Sequence, residues 1–256
     1  MAVQRIGIFS DMHGNAIAFD AVLAALRAEG IEQFVCLGDV AATGPQPHEV
    51  VRRLRELNCP VVMGNTDDHV LSPPAPGSDD ENVIRLREID QWSAAQLSPD
   101  ERAFVASFAP TVTLPLADGG SLLGYHGSPQ SYNDILQPTT PTDKLDALLG
   151  EVTATVLGEV TATVLAGGHT HQQMLRRHHQ ALVMNPGSVG LPMDRVPADS
   201  SARNPAWAEF AVLTCGEGEL RIELRRVRFD VAALLAAARQ SGMPHAEWYA
   251  SDWDIG

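Results

Sequence analysis

Two periods of apolar residues alternate along the first sixty positions. Residues 3–10 form a short, mostly apolar run that reads as a buried strand, and it stops at a polar stretch from Asp11 to Asn15. From Ala16 to Glu29 the apolar residues Ile17, Val22 and Leu26 recur at helical spacing, with Gly30 as a stop. Gln33 to Leu37 is a second apolar strand that ends at Gly38 and Asp39. Pro47 to Leu57 has the spacing of a second helix. Pro60 to Met63 reads as a third strand, ending at Gly64 and Asn65. A strand–helix–strand–helix–strand order predicts an α/β fold with parallel strands.

The period then changes. Ser72 to Asp80, rich in proline and acidic residues, reads as a loop. Glu81 to Phe108 is helical in pattern with one break near Ser98 and Pro99, where Ser98 or Asp100 can cap the second piece. Short strands follow at Val112–Leu116 and Ser121–Tyr125, joined by a hairpin-like turn at Asp118, Gly119 and Gly120. Residues 150–157 and 158–165 are a perfect tandem repeat of GEVTATVL. Two copies are too few for a solenoid. The second copy, which leads into His169, is expected to be a core strand, and the first to extend a helix end or loop. Ala181 to Met184 is another strand, followed by Asn185 to Ser188. Glu209–Leu213 and Leu220–Phe229 predict a terminal hairpin, and Asp230 can cap a helix over Val231–Gln240 that Gly242 and Pro244 end.

Composition narrows the class. The 256 residues read as a single domain over 1–256, large enough to bury a substantial core. Eighteen Lys and Arg against 32 Asp and Glu give a net charge of −14, which argues against binding duplex nucleic acid or an anionic membrane. Lys144 is the only lysine, and no Gly-Lys-Ser/Thr sequence exists, so a phosphate loop of that type is excluded. A phosphorylated substrate remains compatible with an acidic chain if metal ions supply local positive charge. Three widely spaced cysteines (Cys36, Cys59, Cys215) predict a reduced, cytoplasmic protein without a disulfide framework. No apolar run reaches the ~18 residues of a membrane span, and the N-terminus lacks a signal-peptide layout.

The chemistry sits at strand ends. Asp11 and His13, Gly38-Asp39, Gly64-Asn65, His126, and Gly168-His169 with His171 each follow a predicted strand. Ligands in α/β sheets gather at such carboxyl ends, and glycine lets the backbone approach a ligand closely. A set of Asp, Asn and His without cysteine suits borderline divalent metals such as Mn, Fe, Zn or Ni rather than a structural zinc. Two aspartates, one asparagine and four histidines exceed what one ion needs. They fit two ions ~3.5–4 Å apart that hold a phosphoryl group for in-line displacement.

In this order the motifs resemble the calcineurin-like metallophosphoesterase superfamily, whose pattern is Asp-x-His, Gly-Asp, Gly-Asn-His-Asp/Glu, His and Gly-His-x-His. The resemblance spans at least residues 5–195 and is nearest to a bacterial branch of small YfcE-like phosphodiesterases, through GDVAATGPQPHEV, HGSP and NPGSVGLPMD. It implies a four-layer αββα sandwich of two mixed β-sheets flanked by helices. It further implies that Asp11, His13 and His171 bind one metal, that Asn65, His126 and His169 bind a second, and that Asp39 bridges them. The ions are two divalent metals, manganese favoured, and a hydroxide between them is the nucleophile. Asp39, Asn65, Thr66 and Asp67 are the catalytic candidates, and Gly14, Asn15 and Asn65 the substrate-binding ones. Asn185 to Ser188 is expected to pack near the site.

The chain departs from the family pattern at Thr66, where many members carry a histidine that assists the leaving group. Threonine is no general acid at neutral pH, so the expected substrate is a small phosphodiester or nucleotide, such as a cyclic nucleotide, rather than a monoester. His69 is a candidate replacement, against a plainer reading as a surface histidine. A phosphomonoesterase or dinucleoside polyphosphatase is the alternative within the same chemistry. A non-catalytic interaction module on this fold is the alternative outside it. A homo-oligomer is compatible with the sequence. His48, His178, His179 and His245 are assigned no chemistry, the middle two lying in what reads as a polar turn.

Overall fold

Strand β1 (Gln4–Phe9) shows how the sequence divides its side chains between two cores. Ile6 and Ile8 point to one face and pack in a cluster with Leu122, Val164, Met184, Ala211 and Leu213. Phe9 points to the other and packs with Phe19, Val22 and Leu26 of helix α1 (Ala16–Ala28). This period-two division is what a strand covered on both faces requires. In the computed structural model, residues 3–73, 79–150, 163–193 and 203–253 are described.

The elements continue as β2 (Gln33–Cys36), α2 (Pro47–Leu57), α3 (Asn65–Leu71), α4 (Glu81–Gln96), α5 (Pro99–Ala106), β3 (Val112–Pro115) and β4 (Ser121–Gly124). Then come α6 (Thr142–Leu149), β5 (Val164–Ala166), β6 (Met174–His178), β7 (Ala181–Asn185), β8 (Trp207–Gly216) and β9 (Glu219–Arg228). Two short helices, α7 (Val231–Gln240) and α8 (Ala246–Ser251), follow. The strands form a four-stranded sheet in the order β2-β1-β8-β9 and a five-stranded sheet in the order β3-β4-β5-β7-β6.

Both sheets are mixed. β1 runs parallel to β2 with Ile6 opposite Gln33, and antiparallel to β8 with Ile6 opposite Leu213. In the second sheet β4, β5 and β7 are parallel, while β3 and β6 close the edges antiparallel. The inner faces pack on each other through the cluster that holds Ile6 and Ile8. Helices α1 and α2 cover the outer face of the first sheet. Leu145 and Leu149 of α6 pack on Leu123, Leu165 and Val183 outside the second. The chain is therefore a mixed α/β protein with the four-layer arrangement that its motifs imply.

Local signals hold at several ends. Ser98 caps α5, accepting from the Glu101 N–H at 3.3 Å while the Glu101 carboxylate accepts from the Ser98 N–H at 2.9 Å. Asp230 caps α7 by accepting from the Ala233 N–H at 2.9 Å. Other expectations are corrected. Residues 60–63 are bridges rather than a full strand: Val61 pairs with Cys36 and Val62 with Ala109. Residues 174–178 form β6 instead of a polar turn, paired along the buried β7. Of the second GEVTATVL copy, Val164 and Leu165 lie in β5. The first copy is described only at Gly150, just beyond α6, and residues 151–162 lie outside the described residues, as do residues 74–78 of the stretch from Ser72 to Asp80 expected as a loop. The three cysteines are unpaired, with Cys36 and Cys215 buried. Among the described residues no helix is long and apolar enough to cross a membrane.

Candidate metal centre

Four strands end at one point. Asp11 lies two residues beyond β1, Asp39 three beyond β2, His126 two beyond β4, and His169 three beyond β5. Asp11, His13, Asp39, His169 and His171 all have φ between +44° and +68°. Side chains with a Cβ are uncommon in this left-handed region, and strain of this kind concentrates at functional sites. Backbone bonds hold the turns in place: the Asp11 N–H donates to the Gly38 carbonyl at 2.9 Å and the His13 N–H to the Asp39 carbonyl at 3.0 Å. Two glycines make the approach sterically feasible. A Cβ on Gly64 would collide with the Asp39 carboxylate, and one on Gly168 with Ser10 and the Asp11 carboxylate.

The polar atoms fall into two groups. Asp11, His13 and His171 each offer one ligand atom, all within 4.8 Å of one another, and so do Asp39, His126 and His169. The groups interlock. His171 Nε2 lies 3.3 Å from the Asp11 carboxylate, and His126 Nε2 lies 3.3 Å from that of Asp39. His13 Nε2 is 3.6 Å from Asp39 and 3.9 Å from Asp11. Asn65 Oδ1 sits 3.0 Å from His126 Nε2. The seven motif residues thus converge on one place, with Asp11 and His126 fully buried and Asp39 2% exposed.

The imidazoles are oriented from behind. His126 Nδ1 faces the Leu37 carbonyl at 2.7 Å, His171 Nδ1 the Leu191 carbonyl at 2.7 Å, and His13 Nδ1 the Ala42 carbonyl at 3.3 Å. A carbonyl can only accept, so each Nδ1 carries a proton and each Nε2 is the atom turned to the centre. This is the orientation that metal-ligating histidines take. His13 and His171 then bring two Nε2 atoms within 3.0 Å. That contact is repulsive unless a cation or proton lies between them. The charge balance points the same way. Burial would push His126 down, but Asp39 and Asp11 outweigh it and raise it to about 10. Burial would raise the Asp39 carboxyl, yet the charge of His126 and His13 holds it below the usual carboxylate range. His13 itself is pushed down to about 4 by burial. Buried carboxylates that hold a proton on a neighbouring ring are asking for positive charge, which a divalent ion supplies. The residues fit two such ions.

The surrounding residues divide into lining and scaffold. Thr66 and His69 of α3 line the cavity over the centre with Asn65, because residues 65, 66 and 69 share one helical face. The Thr66 N–H donates to Asp39 Oδ1 at 2.9 Å, and the Thr66 hydroxyl is buried without a hydrogen-bond partner. Asp67 turns away. Its carboxylate accepts from the backbone N–H groups of Asp39, Val40 and Gly64 at 2.8, 2.9 and 3.1 Å, which makes it a clamp between two ligand loops. Burial and the charge of Asp39 push Asp67 up to about 7 in spite of these donors.

Gly14 and Asn15, expected beside a substrate, are not among the residues that line this cavity and are engaged in the turn after β1. Gly14, with φ +58°, donates to the Val40 carbonyl at 3.0 Å and accepts from the Gln46 N–H at 2.8 Å. Asn15 caps α1 through the Ala18 N–H at 3.0 Å and donates to the Gly190 carbonyl at 3.2 Å. Both are consumed by the turn after β1. The 185–191 loop packs under the site as expected: Asn185 donates to the Gly168 carbonyl at 2.6 Å and Ser188 to the Asp11 carbonyl at 2.8 Å. What the sequence did not reveal is the role of α4. Val83, Leu86, Arg87, Asp90 and Gln91 all line the cavity, and Asp90 accepts from the Thr43 hydroxyl at 2.7 Å. Their spacing at 83, 86–87 and 90–91 is that of one helix face, but which face meets a site is decided by tertiary packing.

Residues 5–204 match the sequence profile of the calcineurin-like phosphoesterase superfamily domain, a span that contains every residue of the centre. The chain belongs to that superfamily. Its members are metal-dependent phosphoesterases, so this calcineurin-like chain is a phosphoesterase hydrolase in class. An uncharacterized protein of Methanocaldococcus jannaschii, MJ0912, is 25% identical over 263 aligned positions that cover 97% of this chain and 96% of that one. Two solved structures share the fold over nearly all of both chains. A metallophosphoesterase from Sphaerobacter thermophilus has a TM-score of 0.70 at 22% identity, covering 97% of each chain. The protein PH1004 from Pyrococcus horikoshii has a TM-score of 0.75 at 18% identity, covering 96% of each.

Proposed function

We propose that this calcineurin-like phosphoesterase is a two-metal phosphodiesterase acting on small phosphodiesters, nucleotides among them. The observation that carries the reading is the pair of interlocked ligand groups, Asp11–His13–His171 and Asp39–His126–His169, with three imidazoles fixed from behind by backbone carbonyls. Asp39 lies between the groups and is assigned as the bridge, and Asn65 completes the second. When bound, two divalent ions, manganese favoured, neutralise the phosphoryl oxygens and supply a nucleophile activated at neutral pH. The protein's part is positional. Asp67 fixes the Asp39 and Asn65 loops relative to each other. Thr66 holds the unshared side of the Asp39 carboxylate, and Asn65 faces the cavity as a neutral donor to a phosphoryl oxygen.

The preference for diesters rests on Thr66. No ionisable side chain occupies the position that precedes the Asp67 clamp, so a leaving group must depart with little proton assistance from there. His69, one turn further along α3, is the nearest candidate on the same wall. A panel of phosphoesters with Mn²⁺ tests the reading. Aryl diesters are expected to turn over faster than aryl monoesters, and Asp39→Ala is expected to lose at least ~10³-fold in kcat/KM. Retained activity in that variant would sink the two-metal assignment. Thr66→His should raise monoester turnover, and if it does not, the proton-donor argument fails. His69→Ala should slow alkoxide-leaving diesters by about 10²-fold and p-nitrophenolate-leaving ones hardly at all. Equal effects on both would remove His69 from the chemistry.

A further inference from the structure

The cavity over the centre has a volume of about 490 Å³ and two chemically distinct kinds of lining. Motif residues, including His13, Asp39, Asn65 and His171, supply one. Val83 and Leu86 of α4, together with Leu191 and Met193, supply an apolar one, beside Arg87, Asp90 and Gln91 of the same helix. Leu86 is 38% exposed and Met193 47%, in a protein where only six large apolar side chains among the described residues are so open. Two of those six therefore sit at the mouth of one cavity. Apolar side chains held open beside convergent polar groups mark the place where a small molecule's organic part is buried.

Charge narrows the ligand. Among the described residues that line this cavity Arg87 is the only Arg or Lys, and Asp39 and Asp90 also line it. A site that took a chain of several phosphates would need cations beyond those that hold the reacting phosphoryl group. A second phosphate here would meet Asp39 and Asp90 as well as Arg87. The Asp90 carboxyl is already pushed up to about 6 by burial and by the charge of Asp39.

We infer that α4 and the Leu191–Met193 segment form the specificity pocket of this enzyme, and that the pocket takes an uncharged aromatic or nucleobase-like group carried by a single phosphodiester. The inference rests on the two-metal reading above. Leu86 and Met193 are the specificity-determining side chains, gripping the ring. A dinucleoside polyphosphate fits poorly because its charge lies where the wall is apolar or acidic.

Calorimetric titration of the Mn²⁺-loaded protein with phenylphosphonate and methylphosphonate tests the pocket without relying on turnover. The phenyl compound is expected to bind at least ~10-fold more tightly, equivalent to about 1.4 kcal/mol. The double variant Leu86→Gln/Met193→Gln is expected to bring that preference to within about twofold. Ile135→Gln, another exposed apolar residue (53%) outside the cavity, serves as control and should keep it. Equal binding of both phosphonates by the unmodified protein, or an undiminished preference in the double variant, overturns the inference while leaving diester hydrolysis intact. A kcat/KM for a dinucleoside tetraphosphate above that for an aryl diester overturns it too. If neither phosphonate binds and no diester is hydrolysed, the metal-centre reading itself falls and the pocket with it.

Discussion

Two clusters in this protein are made of the same residue types and differ in almost everything else. At the strand ends, carboxylates and imidazoles from four chain segments meet in near-complete burial, and the histidines His13, His126 and His171 are each braced by a carbonyl. On the far side of the second sheet, Asp146 of α6 meets His178 at the end of β6 and His179 in the turn after it. His178 Nε2 is 3.1 Å and His179 Nε2 2.7 Å from Asp146 Oδ1. There the Asp146 and His179 side chains are 49% and 58% exposed, and two of the three groups are chain neighbours. A cluster of ligand-type residues is thus not in itself a metal centre. The difference lies in what surrounds the donors: four chain segments locked by the backbone in burial in one case, and a helix carboxylate meeting two neighbouring histidines, of which only His178 is buried, in the other.

Metal removal gives the largest expected contrast. Chelation should abolish phosphoesterase activity, with a loss of at least ~10³-fold, and readdition of Mn²⁺ should restore it. The same treatment should lower thermal stability, because the metal-free centre crowds two Nε2 atoms to 3.0 Å and buries carboxylates without a divalent partner. A ligand at 100 times its Kd adds about 2.7 kcal/mol to stability. A melting temperature that ignores chelation would mean that the donors tolerate their own company, and the cation-demand argument would fail.

Much of the buried centre could be read from the sequence, because each donor follows an apolar strand and a sharp turn, and glycine marks three of those turns. Asp39, Asn65 and His169 all stand directly after a glycine that could not accept a side chain or needs a positive φ. Gly14 and Asn15 were singled out by the same logic. They are adjacent to a ligand motif, but their polar groups are used up in capping α1 and closing the loop against Gln46. β6 escaped because Arg176, Arg177 and His178 look like a turn, whereas His178 is in fact buried at the strand end. The third strand expected at 60–63 shrank to bridges, with Pro60 at its start having no N–H to donate. The wall built by α4 had no local signature at all. Its apolar and polar positions are ordinary for a surface helix, and only packing reveals that they face a site.

A smaller effect tests whether the backbone bracing matters. Asp67→Asn keeps the shape of the clamp but can offer only one accepting oxygen to the three N–H groups of Asp39, Val40 and Gly64. The amide group must then point a donor at a donor. The expected cost is about 1–3 kcal/mol in denaturant unfolding, with a fall in kcat as the Asp39 and Asn65 loops lose their common anchor. Unchanged stability would show that Asp67 is held there for some other reason. A stability loss with unchanged activity would show that the two loops keep their spacing without it.

The smallest effect is expected at the exposed cluster, and it is the one that most sharpens the contrast. Asp146→Asn removes the carboxylate charge shared by His178 and His179 and leaves everything around the catalytic centre in place. An ion pair with this much access to water contributes little, because solvent and salt screen it. The variant should therefore keep its melting temperature, its phosphoesterase activity and its metal content by elemental analysis after dialysis. A loss of one bound metal equivalent would mean that the two clusters are alike after all, and that exposure and chain adjacency do not separate a metal site from a polar contact. Retention of all three properties would place the distinction where the geometry puts it, in burial and in the carbonyls that point each imidazole at its partner.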